Sequence, residues 1–148
     1  MKKVLFVCLG NICRSPMAEG IFRSKANTDY EVASAATSSW EEGNSPHPGT
    51  QKILLNRNIS TRGMRSRKIS DYDFEYYDYI IGMDKNNVRD LFHFSPEKYH
   101  HKIKLFLDSI DGYEGMDVPD PWYTGDFDTT ERLVDLGTSS WLKIIDNK

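Results

Sequence analysis

Cysteine is scarce in this sequence: the chain has only Cys8 and Cys13 among its 148 residues. Two neighbouring thiols cannot build the disulfide framework of a small secreted domain, so a reducing, cytoplasmic location is the simplest expectation. Positive charge is not in excess either, because the formal net charge is -3 at pH 7 and the densest basic cluster, residues 62–68, is short. We therefore expect no binding to nucleic acid.

Long apolar runs are also missing. The apolar stretch that begins at Val4 ends at Gly10, which is too short for a signal peptide or a membrane span, so no membrane association is expected. No Walker A pattern occurs, so a nucleotide-hydrolysing loop is not indicated. A chain of this length without internal repeats is expected to fold as a single domain, residues 1–148, with its own core.

The sequence does contain a strand, a tight loop and a helix at its start. Residues Val4 to Val7 are apolar and mostly β-favouring, as in a strand that is buried on both faces of a parallel sheet. Pro16 suits the first turn of a helix, and the apolar residues that follow it recur at helical spacing. A helix is therefore predicted to begin near Arg14.

The loop between this strand and this helix, residues 8–14, is termed the phosphate loop. The first amides of a helix lack intrahelical partners and favour an anion. Gly10 and Asn11 allow the backbone to curl its N–H groups around a tetrahedral oxyanion. Arg14 adds a guanidinium fork that matches two phosphate oxygens. A Cys8 thiol in this field ionises more readily and becomes a nucleophile.

Strands and helices alternate along the rest of the chain. Further strands are predicted at residues 30–36, 77–83 and 102–107. Helices are predicted at residues 51–58, after the N-cap Asp84, and at 129–146 with Leu133, Leu136, Leu142 and Ile145 in the core. Residues 59–73 are predicted to be irregular. This order predicts an α/β fold of three layers, a twisted four-stranded parallel sheet flanked by helices, with the phosphate loop after the first strand.

In such sheets, ligands bind beyond the carboxyl ends of the strands, where Cys8 emerges. The loop after the fourth strand should reach the same edge. There, Pro119 and Pro121 stiffen the backbone on both sides of Asp120, which favours a fixed carboxylate over a freely solvated one. The sequence therefore predicts that a thiol, a guanidinium and a carboxylate meet at one edge of the sheet.

The segment Val7 to Pro16, VCLGNICRSP, resembles the signature of the low-molecular-weight protein tyrosine phosphatases almost residue for residue. The resemblance implies hydrolysis of phosphotyrosine through a cysteinyl-phosphate on Cys8, without metal or cofactor. It also implies that Asp120, in a matching Asp-Pro-aromatic-Tyr motif, acts as general acid and then as base. We expect Arg14 and the loop amides to hold the oxyanion, and Ser15 to donate a hydrogen bond to the departing sulfur.

The resemblance extends to residues around the loop. It implies that Ser34 hydrogen-bonds to the phosphate loop and that Trp40 flanks the substrate ring. Many family members have a histidine that supports the asparagine of the loop, whereas this chain offers Gly63, so the group that supports Asn11 in its place is left open. The expected substrate-binding residues are Leu9, Gly10, Asn11, Ile12, Cys13, Ser34, Trp40, Trp122 and Tyr123.

The aromatic residues favour a particular substrate class. Trp40, Trp122 and Tyr123 would form a slot deep enough for a phosphorylated phenol, which favours phosphotyrosine over the shorter phosphoserine. A related branch of the family acts on phosphoarginine and has threonine where this chain has Ile12, so the apolar residue also favours phosphotyrosine. The expected partners are phosphotyrosine-containing proteins, with phosphate and other oxyanions as inhibitors.

Other interpretations stay open at this point. A thioredoxin-coupled arsenate reductase has a similar loop and fold, but it needs relay cysteines and none follows Cys13. A phosphoarginine phosphatase is a second alternative. A non-catalytic phosphate-binding or phosphocarrier module is a third, and it would not need Asp120. Cys13 is either a small apolar filler or the partner of Cys8 in a reversible disulfide, as in other family members.

Overall fold

Four parallel strands form the centre of the computed structural model, which describes residues 1–148. They are β1 (Lys2–Cys8), β2 (Tyr30–Ala36), β3 (Tyr79–Gly82) and β4 (Ile103–Leu105). Their order in the sheet is β2-β1-β3-β4, and every pairing is parallel. Residues 4–7 of the central strand β1 are buried on both faces, which explains why this strand is continuously apolar.

Six α-helices cover the two faces of this sheet. They are α1 (Arg14–Lys25), α2 (Pro48–Asn56), α3 (Asp71–Tyr76), α4 (Lys85–Phe94), α5 (Pro121–Thr124) and α6 (Phe127–Asp146), with short 3₁₀ helices at Glu97–Lys102 and Phe106–Ser109. One buried cluster joins the sheet to α1, α2 and α6, and a second joins it to α3 and α4. The predicted three-layer α/β class is therefore confirmed. No helix combines the length and the apolar composition that a membrane span requires.

Several element boundaries differ from the prediction because a cap or a turn intervenes. Helix α2 begins at Pro48 rather than at residue 51, because the side chain of His47 caps its first turn. Helix α6 begins at Phe127 rather than at residue 129, because the carboxylate of Asp126 caps it. Strand β4 covers only part of the predicted residues 102–107, since the chain turns into a 3₁₀ helix directly after Leu105.

Helix α3 occupies residues that the sequence analysis left without a helix. Its six residues are too few for helical periodicity to be visible. Ser70 and Asp73 form a capping box at its start, and the backbone N–H of Ser70 donates to the Asp73 carboxylate at 2.8 Å. This pair of residues was the available signal for a helix start.

The buried stripe of α6 differs from the predicted one. It runs through Leu133, Gly137 and Trp141, so a small residue lies in its middle. Leu136, predicted to be in the core, is 44% exposed, and that prediction was wrong. The reason is that Leu136 lies to one side of the stripe, because consecutive helical residues are rotated by about 100°.

Gly137 provides a test of this packing. Helix propensity alone predicts that Gly137→Ala stabilises α6 by about 1 kcal/mol. A Cβ at this position would meet the ring of Phe106 at 2.1 Å, so we expect the substitution to lower the free energy of unfolding by about 1–3 kcal/mol instead. Equilibrium unfolding in urea measures this difference.

The matched control is Gly20→Ala in α1, which gains the same helix propensity. There the new Cβ would meet the methyl end of the flexible Leu54 side chain at 2.9 Å, so the loss of stability should be smaller. A Gly137→Ala protein that is as stable as the native chain would contradict this prediction, because it would show that the Phe106 ring moves aside without loss of stability.

Candidate active site

The Cys8 thiol lies at the carboxyl end of β1, where the phosphate loop begins. Its Sγ atom is 3.0 Å from the hydroxyl of Ser15 and accepts the backbone N–H of Asn11 at 3.3 Å. The bend in the loop is made by Asn11, whose φ of 57° lies in the left-handed region, whereas Gly10 keeps a negative φ. One main-chain N–H and one hydroxyl therefore face the sulfur atom.

Five carbonyl groups of the phosphate loop are held by donors from outside it. The donors are the N–H of Thr37 to Cys8 at 3.0 Å, the N–H and hydroxyl of Ser38 to Leu9 at 3.1 and 2.8 Å, the hydroxyl of Ser66 to Gly10 at 2.8 Å, the N–H of His47 to Ile12 at 2.8 Å and the hydroxyl of Thr50 to Cys13 at 3.1 Å. Since no peptide bond is cis, a carbonyl that points outward turns the next N–H inward. The bonds that shape the ring of amides are thus made on its outer side.

The side chain of Asn11 is held on both of its ends. Its amide nitrogen donates to the hydroxyls of Ser15 at 2.8 Å and Ser34 at 2.9 Å, and its oxygen accepts the backbone N–H of Arg67 at 3.2 Å. These contacts answer the question of what replaces the histidine that Gly63 does not provide. Main-chain and hydroxyl groups hold this side chain instead.

Arg14 is the one long charged side chain that is almost completely buried, with 2% of its surface exposed. One terminal nitrogen donates to Asp84 at 2.7 Å and to the carbonyl of Val118 at 3.0 Å, and the other contacts Asp120 at 3.3 Å. Its Nε atom is buried without a partner. Because a buried N–H is normally satisfied, this nitrogen is available to a ligand.

The charge of Arg14 is balanced by its surroundings. Burial by itself disfavours the charged guanidinium, but the neighbouring Cys8, Asp120 and Asp84 outweigh that cost, and the pKa of Arg14 is raised. The sequence analysis identified Asp84 only as a helix cap. The carboxylate fills both roles, since one oxygen accepts the N–H of Asn87 at 2.7 Å and the other binds Arg14.

Asp120 is fixed at the same edge of the sheet by the short helix α5. One of its carboxyl oxygens accepts the N–H of Trp122 at 3.0 Å and the other faces Arg14. Pro121 occupies the first turn of α5, where it stiffens the backbone beside the carboxylate. The carboxylate is 19% exposed, so it is held in place and still reaches solvent.

Cys8 and Asp120 lie on the wall of one cavity of about 120 Å³. It is lined by Cys8, Leu9, Gly10, Ile12, Cys13, Trp40, Glu41, Asp120, Trp122 and Tyr123. Glu41 was not anticipated, and nothing in its local sequence distinguishes it. Ser34 and the side chain of Asn11 do not line this cavity, so they support the loop from behind.

The mouth of the cavity is aromatic. Trp40, Trp122 and Tyr123 are 76%, 56% and 73% exposed, as expected for a rim rather than for a core. The imidazole of His47 meets the ring of Trp122 edge to face at a centroid distance of 5.9 Å and stacks on Phe127 at 4.9 Å. His47 and Phe127 therefore support the Trp122 side of the rim.

The second cysteine differs from the first. Burial, together with the neighbouring charges of Cys8 and Asp120, raises the pKa of Cys13 to about 12. Its thiol therefore stays protonated at neutral pH and is a poor nucleophile.

Comparison with known proteins places this arrangement in context. Residues 3–148 match the family described as low molecular weight phosphotyrosine protein phosphatase. YfkJ of Bacillus subtilis, named a low molecular weight protein-tyrosine-phosphatase, is 44% identical over 150 residues, which cover 98% of this chain and 96% of that protein. The crystal structure of YfkJ superposes with a TM-score of 0.94 over 99% of this chain and 96% of that chain.

Two less similar solved structures are named with a bound ligand or with a substrate class. Wzb of Vibrio vulnificus, in complex with benzylphosphonate, is 25% identical and superposes with a TM-score of 0.85 over 96% of this chain and 97% of that chain. DARP, a Drosophila arginine phosphatase, is 32% identical with a TM-score of 0.88 over 98% of both chains. Because proteins with different named substrates share this fold, the side chains around the cavity must decide the substrate.

The Arg14–Asp84 pair can be tested through stability. Asp84→Asn keeps an oxygen acceptor for the cap of α4 but removes the charge that faces the buried guanidinium, which leaves Asp120 as its one carboxylate partner. We expect the free energy of unfolding at pH 7 to fall by about 2–3 kcal/mol. Asp29→Asn, which breaks an exposed ion pair with the chain terminus at 3.7 Å, should cost less than about 1 kcal/mol. Equal losses in the two variants would contradict a special role for the Arg14–Asp84 pair.

Proposed function

The chain belongs to the low molecular weight phosphotyrosine protein phosphatases, which are cysteine-dependent enzymes, and from this premise we propose that it hydrolyses phosphotyrosine in proteins through a cysteinyl-phosphate intermediate. The observation that carries the proposal is that Cys8 and Asp120 line one small cavity with an aromatic mouth, and that the buried Arg14 contacts Asp120 at 3.3 Å. Aryl phosphate hydrolysis needs a nucleophile, donors for the equatorial oxygens and a proton for the leaving phenolate. Each of the three residues supplies one of these.

In the first step, the Cys8 thiolate attacks phosphorus, so that a sulfur–phosphorus bond forms as the bond to the phenolic oxygen breaks. The proton of the Asp120 carboxyl group passes to the leaving oxygen. The unpartnered Nε of Arg14 and the inward N–H groups of the loop hold the equatorial oxygens. The guanidinium keeps its position because Asp84 and Val118 bind its far side.

In the second step, water attacks the cysteinyl-phosphate. Asp120, now a carboxylate, takes the proton of this water, and the sulfur–phosphorus bond breaks. The departing thiolate receives hydrogen bonds from the Ser15 hydroxyl and the Asn11 N–H, which already contact Sγ at 3.0 and 3.3 Å. Inorganic phosphate leaves, and the enzyme regains its starting state.

The rim of the cavity supports an aromatic phosphate as the substrate. The flat faces of Trp40, Trp122 and Tyr123 suit a phenyl ring, and Ile12 adds an apolar wall beside the thiol. The complex of the similar Wzb with benzylphosphonate fits the same preference, since that ligand joins a benzyl group to a phosphorus oxyanion. Inorganic phosphate and other oxyanions should therefore compete with the substrate.

Two substitutions test the catalytic roles. Cys8→Ser should abolish turnover of p-nitrophenyl phosphate. Asp120→Asn keeps the shape of the side chain but donates no acidic proton, so it should slow phenyl phosphate by about a hundredfold or more, and p-nitrophenyl phosphate much less, because nitrophenolate leaves without protonation. Steady-state kinetics with both substrates measures this, and KM should stay nearly constant.

The pH profile of the same variant is the companion readout. With phenyl phosphate as the substrate, native turnover should fall as the pH rises, since the first step needs a proton on Asp120. Asp120→Asn should lose this fall. An active Cys8→Ser protein would overturn the nucleophile, and equal losses on both leaving groups would overturn the general acid.

Substrate class is tested with phosphorylated peptides. We expect kcat/KM to be highest for phosphotyrosine peptides, above phosphoserine and phosphoarginine peptides, with and without a chelator. Ile12→Thr, which introduces the residue of the phosphoarginine branch, should raise the phosphoarginine rate relative to the phosphotyrosine rate. Release of inorganic phosphate measures all of these rates.

The outcomes separate the competing functions. A native preference for phosphoarginine would assign the chain to the other substrate class. Binding of phosphate without turnover of any peptide would indicate a binding or carrier module. Thiol-dependent reduction of arsenate without release of phosphate from peptides would indicate a reductase.

A further inference from the structure

A single peptide unit joins the catalytic thiol to a loop more than fifty residues away in the sequence. The peptide between Gly10 and Asn11 directs its N–H to the Sγ of Cys8 at 3.3 Å. The carbonyl of the same peptide accepts the hydroxyl of Ser66 at 2.8 Å. Because the C=O and N–H bonds of a trans peptide point in opposite directions on one rigid plane, holding one fixes the other.

We propose that Ser66 is a positioning residue of the catalytic site, which locks the Gly10–Asn11 peptide so that its N–H stabilises the Cys8 thiolate. The inference rests on the proposed function, in which this thiolate is the nucleophile. Ser66 touches neither the thiol nor the cavity. It acts only through the peptide.

The Gly10–Asn11 peptide needs a hydrogen bond that holds its orientation, because the backbone of Asn11 is in an unfavourable conformation. Asn11 has a φ of 57°, a region that costs a residue with a side chain about 1–2 kcal/mol. Rotation of this peptide would relieve the strain and would aim the carbonyl oxygen of Gly10 at the thiolate, where the two negative charges repel. The Ser66 hydroxyl opposes that rotation, and its donation to the carbonyl also polarises the N–H that faces sulfur.

No second donor shares this task. The carbonyls of Leu9 and Ile12 are each bound by a main-chain N–H, which no side-chain substitution removes. The carbonyl of Gly10 is bound by the hydroxyl of Ser66 alone. Ser66 is 3% exposed, so water does not readily replace its hydroxyl.

Removal of the hydroxyl leaves the segment around Ser66 in place. The backbone of Ser66 donates to the carbonyl of Asn44 at 2.9 Å and accepts the N–H of Gly43 at 2.8 Å. The carbonyl of the next residue, Arg67, accepts the N–H of Ala36 at 2.7 Å. Ser66→Ala therefore deletes one hydrogen bond without releasing the loop that carries it.

The experiment compares four variants with the native enzyme. The readout is the rate of alkylation of Cys8 by iodoacetamide as a function of pH, because this reagent reacts with the thiolate. In Ser66→Ala, the pH midpoint of alkylation should rise by about half to one pH unit, and kcat/KM for p-nitrophenyl phosphate at pH 6 should fall about tenfold. Ser66→Thr, which retains a hydroxyl, should restore both values toward those of the native enzyme.

Ser38→Ala is the matched comparison within the loop. The hydroxyl of Ser38 also binds a loop carbonyl, but the backbone N–H of the same residue binds that carbonyl as well, so the shift of the midpoint should be smaller than in Ser66→Ala. Ser140→Ala removes a hydroxyl-to-carbonyl bond from helix α6 and should leave the midpoint unchanged. Urea unfolding of each variant shows that it is folded.

A folded Ser66→Ala protein with the native alkylation midpoint and native kcat/KM would overturn the inference. If the native enzyme turns over aryl phosphates and requires Cys8 while Ser66→Ala is unaffected, only the role of Ser66 fails. If Cys8 is not required for turnover, the proposed function fails first.

Discussion

The burial of a permanent positive charge is the constraint on which this site depends. A guanidinium keeps its proton at any physiological pH, so Arg14 cannot escape the cost of burial by becoming neutral. The fold must therefore bring acceptors to it, and it does so with Asp84 from the end of β3, the carbonyl of Val118, and Asp120 from the loop after β4. Two chain segments that are distant in sequence are fixed around one ion, and they leave its Nε atom unpaired.

The phosphate loop is held in the opposite way, by donors rather than by acceptors. Its inward N–H groups are held by donors that bind its carbonyls from outside, so the ring is formed before any ligand arrives. Such preorganisation matters because donors that need not reorient contribute most to stabilising a transition state. The strained backbone of Asn11 persists since its side chain and the peptide that precedes it are fixed by other segments.

Sequence patterns revealed the parts of the site that are local. The strand, loop and helix around Cys8 and Arg14 lie within twenty-five residues, and the prolines beside Asp120 act on their own backbone. Patterns could not reveal contacts between loops, such as Arg14 with Asp84 or Gly10 with Ser66, because these depend on how β1, β3 and the segment before α3 are placed together. What replaces the histidine at Gly63 could not be predicted for the same reason, since the backbone N–H of Arg67 supplies that contact from another loop.

The decisive measurement is the direct detection of the covalent intermediate. The native enzyme is mixed with p-nitrophenyl phosphate, quenched in denaturant within one turnover and digested for mass spectrometry. A sulfur nucleophile in this loop predicts one phosphoryl group on the peptide that contains Cys8. The same peptide of the Cys8→Ser protein, treated in the same way, should carry none. Release of nitrophenol while that peptide stays unmodified, or a phosphoryl group on another side chain, would contradict the assignment.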